Sequence, residues 1–116
     1  MLGGLVNQTN EELGLWLAAH VTATSITAAI NSPGGWHPTT DEYHARVLLY
    51  AMEESGWKAK IEPTSGCDWQ VSFRKWDSRG SRGGMGRCYG GTFCEAVCYA
   101  AKFAIESLMA VEAAYA

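Results

Sequence analysis

Proline is scarce, with 3 in 116 residues, and no apolar run approaches the ~18 to 20 residues that a helical membrane span needs. The first excludes a proline-rich linker and the second a transmembrane helix. Charged residues make up only 18% against 47% hydrophobic, a balance that excludes gross disorder. Met1 to Glu12 contains no basic stretch and turns acidic at Glu11, so no secretory signal is expected. The 4 cysteines are then expected as reduced thiols in a cytoplasm rather than as disulfides. No Gly-Lys-Ser/Thr phosphate loop, paired cysteine knuckle, nucleophile elbow or internal repeat occurs. What remains is one domain, residues 1–116 with a core over about 10–111, large enough to bury roughly two thirds of its unfolded surface.

The net charge of −3 is unevenly spread. Arg74, Lys75, Arg79, Arg82 and Arg87 share one short stretch with a single acid, Asp77, for a local charge of +4. The other four cations face eleven acids, which leaves −7 elsewhere. Binding of duplex DNA rests on counterion release by many distributed cations, so duplex DNA is not an expected partner. A local cationic segment can still hold a small anion.

Three Thr-x-x-Glu boxes mark helix starts: Thr9 with Glu12, Thr39 with Glu42, and Thr92 with Glu95. The first predicted helix runs from Asn10 to His20, with Leu13, Trp16 and Leu17 at helical spacing and Leu15 outside. Residues 21–30 are ambiguous between helix and extended chain, and Ser32-Pro33-Gly34-Gly35 is a break. A second helix is expected over about 40–55, with Tyr43, Val47, Tyr50 and Ala51 on one face and Gly56 as a left-handed stop. Trp57, Ala59 and Ile61 then alternate with Lys58, Lys60 and Glu62. Trp69, Val71 and Phe73 alternate with Gln70, Ser72 and Arg74, which predicts a hairpin. Residues 77–86 read as a Gly/Ser/Arg loop, with a short third strand around 86–89. Thr92 opens a last helix to about Val111, its apolar side formed by Val97, Ala101, Ala104 and Leu108. The expected fold is α+β, a short antiparallel meander of two or three strands covered by helices, in the order α-α-β-β-(β)-α.

Several of these segments together resemble the phage ABA-sandwich domain family. The segments are Thr39-Thr40-Asp41 opening a helix, Met52-Glu53-Glu54-Ser55-Gly56-Trp57 entering a strand, the Trp-rich hairpin, and Glu95-Ala96-Val97-Cys98-Tyr99-Ala100-Ala101 in the closing helix. The family's closing helix commonly carries Ala-Ile-Cys-Arg-Ala-Ala, and its Glu-Glu-Leu opening is matched by Glu11-Glu12-Leu13. The resemblance covers roughly residues 10–108; an insertion around 21–35 and the arginine-rich segment depart from it. It implies an α/β fold and a phage protein working in the cytoplasm of an infected bacterium. It implies no reaction and no catalytic residues.

The main candidate site is the Gly/Arg segment, 77–87 with the end of the strand before it. Arg74, Arg79, Arg82 and Arg87 offer planar bidentate donors to phosphate oxygens. Gly83 and Gly84 let backbone N–H groups converge on an anion, and Trp76 offers a stacking face. A solvated hairpin connection is the plain alternative. The cysteines read as core; no metal and no cofactor is expected, because Cys88, Cys94 and Cys98 lack paired zinc spacing. His20, His37 and His44 have no catalytic context. Trp57 and Trp69 read as core, while Trp36 and Trp76 are candidates for an exposed contact. The expected function is that of a phage accessory protein that counters host defence by sequestering a phosphate-containing nucleotide signal. The alternative is an anti-CRISPR-like inhibitor that binds a host defence protein, with the acidic remainder imitating nucleic acid; a small enzyme ranks last. A homo-oligomer is compatible with an uncovered edge strand.

Overall fold

The computed structural model describes residues 9–21, 23–63, 69–76, 82–90 and 92–114, with residues 82–90 described through their backbone pairing. Four helices and three strands follow in the order α1 (Asn10–His20), α2 (Thr24–Ile30), α3 (Glu42–Glu54), β1 (Lys58–Pro63), β2 (Trp69–Trp76), β3 (Arg82–Gly90) and α4 (Phe93–Ala114). The class is α+β, as expected, and residues 24–30 of the ambiguous 21–30 stretch form a short helix.

Helix α1 begins where its box predicts. The Glu12 N–H donates to Thr9 Oγ1 at 3.1 Å, and the Thr9 N–H donates to Glu12 Oε1 at 3.0 Å. That return bond holds the Glu12 carboxyl below its ordinary value. At Thr92 the hydroxyl accepts from the Glu95 N–H at 3.1 Å and itself donates to the Glu95 carboxylate at 3.0 Å.

The Thr39 box is not the start of α3. Asp41 is the cap, its carboxylate accepting from the His44 N–H at 3.2 Å, while Thr39 is buried in the preceding turn. An ionised carboxylate satisfies the first N–H groups better than a hydroxyl, and the helix shifts to use it. That shift fits the face that α3 buries. Leu48, Met52, Ala45 and Ala51 are fully enclosed, whereas Tyr43 is 71% and Tyr50 59% exposed. Of the expected face, Val47 and Ala51 are buried and the two tyrosines are outer. Gly56 closes the helix at φ +98°, the left-handed conformation its position called for.

The sheet is antiparallel in the order β1-β2-β3. Ala59 pairs with Phe73 and Ile61 with Val71, and Val71 and Phe73 are completely buried. In the same register Val71 pairs with Cys88, Phe73 with Gly86, Lys75 with Gly84 and Trp69 with Gly90. Helix α4 lies most closely against β3. The expected third strand around 86–89 is present, and the expected loop over 77–86 is corrected where it overlaps it: the strand begins at Arg82 and runs to Gly90. The reason is the alternation within the segment. Gly84, Gly86 and Gly90 occupy the row that includes Val71 and Phe73, where a missing Cβ lets another backbone come close. The helix they meet is rich in small buried residues, Ala96, Ala100, Ala101 and Ala104. Residues 77–81 lie outside the described residues.

On the far side of α3 and α4 from the sheet, α1 packs against α4 and α2 against α3. Trp36, expected at an exposed contact, is instead core. Its Nε1–H donates to the Gly14 carbonyl at 2.8 Å, and the ring is 8% exposed. Gly14 fits closely there, since a Cβ would stand 3.3 Å from Pro38 Cδ and the proline ring would have to give by a few tenths of an ångström.

Candidate functional site

Cross-strand partners share a face of a sheet. One face of this sheet is the core. The other alternates with it and carries the polar half of every strand. Lys58, Lys60 and Glu62 are exposed on β1, and Arg74 and Trp76 are exposed on β2, with Trp76 at 52%. The register adds β3: Arg74 pairs with Lys58 and Met85, Ser72 with Lys60 and Arg87, Gln70 with Glu62 and Tyr89, and Trp76 with Arg82. Among the described residues, five cationic positions, Lys58, Lys60, Arg74, Arg82 and Arg87, thus fall in rows on one face with one acid, Glu62. Lys60 Nζ stands 3.8 Å from Glu62 Oε1, an exposed pair that leaves the lysine available. Ser72 is buried in the middle of this face.

The expected site residues are therefore partly gathered and partly reassigned. Arg74, Trp76, Arg82 and Arg87 come together on one face. Arg79 lies outside the described residues. Gly84 joins the opposite row as a packing position, and Gly83 is the extra residue of a bulge where the register slips between Lys75 and Trp76. The pair does not form an anion-binding loop. Lys75 also leaves the site, because its ammonium stands 5.6 Å over the Trp57 ring and beside Gly56. Lys58 and Lys60 are members that the sequence reading missed. Their alternation with Trp57, Ala59 and Ile61 already put them on the outer half of a strand, but only the register joins that half to Arg74 and Arg87.

The other chemistry-bearing residues serve packing. Cys94 and Cys98 are free and buried, as expected of core thiols, and burial pushes both thiols up, Cys98 far above its ordinary range. Cys67 lies outside the described residues, and Cys88 is placed only by its pairing with Val71. Among the described residues no group of three or more metal-ligating side chains converges. His37 and His44 meet: the His37 N–H donates to His44 Nδ1 at 3.0 Å, and that nitrogen stands 3.8 Å from Asp41 Oδ2. With Nδ1 accepting, the neutral ring carries its proton on Nε2. His44 is thereby a clasp that ties the 36–41 turn to α3. His20 donates from Nδ1 to the Trp16 carbonyl at 2.8 Å and stacks on the Trp16 ring. No described helix is long and apolar enough to cross a membrane.

Comparison with family models, with curated proteins and with solved structures finds no match to this chain.

Proposed function

We propose that this chain is a binding protein whose outer sheet face captures a phosphate-bearing nucleotide anion. One observation carries the reading: register and alternation collect five cationic positions, an exposed tryptophan and a single acid on the face opposite the core. Guanidinium and ammonium groups supply charge-assisted hydrogen bonds to phosphate oxygens, and Trp76 supplies a face for a base. The resemblance to phage ABA-sandwich domains adds a setting. In the cytoplasm of an infected bacterium, such capture removes a nucleotide signal of host defence.

A thermal-shift titration with linear and cyclic nucleotides tests the reading. Ligand at about 100 times its Kd adds ~2.7 kcal/mol of stability, a rise of about 10 °C for a domain this size. Arg74→Ala should abolish the rise while leaving the unliganded Tm in place. No shift with any nucleotide or oligonucleotide would overturn the proposal.

A second reading, the inhibitor of a host defence protein, has its own observation. Exposed Tyr43 and Tyr50 flank Arg46 and Val47 around a cleft of about 340 Å³ on α3. Aromatic and arginine side chains are enriched in protein interfaces. Tyr43→Ala with Tyr50→Ala would separate the two, since the pair lies off the sheet and should leave nucleotide binding unchanged.

A further inference from the structure

The cations of the outer face do not converge on a point, and this bears on what they hold. Neighbouring strands lie ~4.8 Å apart, and residues two apart along a strand are separated by ~6.6 Å. Arg82 stands in the row of Trp76, Lys58 and Arg74 in the next, and Lys60 and Arg87 in the one after. The charged positions therefore cover three strands, about 10 Å, and three rows, about 13 Å. Aromatic positions bracket this field: Trp76 in its first row and Tyr89 in the row beyond the last cations. A mononucleotide concentrates its phosphates beside one base and reaches one or two of these rows. A chain that repeats one phosphate and one base reaches all of them.

Resting on the nucleotide reading above, we infer that the outer face of the sheet binds a single-stranded nucleic acid, laid across β1, β2 and β3 with its phosphates on Lys58, Lys60, Arg74, Arg82 and Arg87 and a base on Trp76. Charge complementarity selects a polyanion. The exposed Trp76 ring selects one with unstacked bases, because stacking on a side chain requires a base freed from its duplex. The cationic field is also small, and the rest of the chain is acidic. A duplex, whose affinity grows with many distributed phosphate contacts, gains little from it. DNA and RNA single strands share the chemistry used here, so both are ligands of the same face.

The test is fluorescence anisotropy with labelled thymidylate oligomers of one to twelve nucleotides, a uridylate series, and a duplex of matched length. Affinity should rise at least tenfold between the dinucleotide and the hexanucleotide and then level off. The uridylate series should follow the same rise. Five phosphate contacts should give a slope of about −3.5 in log affinity against log salt, and Arg74→Ala should flatten it by about 0.7. Trp76→Ala should weaken the hexamer about tenfold or more, as loss of one stacked base does. Urea unfolding of both variants verifies that they remain folded. A mononucleotide or cyclic dinucleotide that binds as tightly as the hexamer, or a duplex that does so, overturns the single-strand inference and leaves nucleotide capture standing. If neither oligomers nor nucleotides bind, both fall together.

Discussion

The same three strands present two faces of opposite chemistry. The face toward α3 and α4 carries Val71 and Phe73, both fully enclosed, with Ala59 and Ile61 packed against them. The face away from the helices carries Lys58, Lys60, Arg74 and Trp76, all exposed. Neither face is separable in sequence from the other, because they alternate residue by residue. The inner face is where burial free energy holds the fold. The outer face has no such demand, and its excess of cations over the one described acid, Glu62, is a cost that packing does not explain, since like charges on neighbouring strands repel. A face that repels itself is complementary to something negative.

The largest expected effect tests the inner half. Phe73→Ala removes a fully buried ring from the centre of the sheet. It should cost about 3–5 kcal/mol in urea denaturation, with binding lost only because the fold is lost. A much smaller loss would mean that the inner face is not the main source of stability. The two tryptophans read from sequence as exposed contacts draw the same contrast. Trp36→Phe loses a buried hydrogen bond to Gly14 and some ring volume, so about 1–2 kcal/mol should go. Trp76→Phe should change stability by less than ~0.5 kcal/mol.

Much of this architecture is legible in the residues. Helix α1, the Gly56 stop, and the alternation of β1 and β2 follow from capping chemistry and period alone. Three things are not legible, each for a physical reason. Thr39 and Asp41 both satisfy the requirements of a cap, and the better carboxylate cap together with the face that α3 buries selects Asp41. Trp36 sits among loop residues, and only the tertiary approach of Gly14 gives its N–H a partner. Residues 82–85, read as loop ahead of the expected strand at 86–89, have the composition of a loop, because glycine is a poor strand former taken alone. Its positions become strand through pairing with β2 and close approach of α4, neither of which is local. The arginines of that segment point to charge on either reading. Their partners Lys58 and Lys60 emerge only with the register.

The thiols on α4 extend the inner-face argument to pH. Burial raises Cys98 well above its ordinary value of 9.0 in the folded chain, and Cys94 rises as well. Below that ordinary value both states keep the proton and no effect appears. Above it the unfolded chain ionises first, so stability falls as pH rises. Cys98 alone should contribute a slope of up to ~1.4 kcal/mol per pH unit. Urea midpoints between pH 8 and pH 10 should show the decline, and Cys98→Ala should flatten it. A flat wild-type profile would mean that the thiol is reached by solvent.

The smallest expected change in stability is at Arg74, and it is the most informative about the outer face. Its side chain is exposed, and its row neighbours across the sheet are Lys58 and Met85. Removing one of two adjacent cations relieves repulsion, so Arg74→Ala should leave stability within about 0.5 kcal/mol of wild type, with any shift toward greater stability. Raising the salt concentration should shrink even that shift, since screening acts on exposed pairs first. A loss of 1 kcal/mol or more would show the guanidinium to be holding the sheet together. The outer face would then be a second structural surface, and the two-face distinction would fail at its centre. A neutral or slightly stabilising result, together with lost anion binding, leaves Arg74 with no role except toward a ligand.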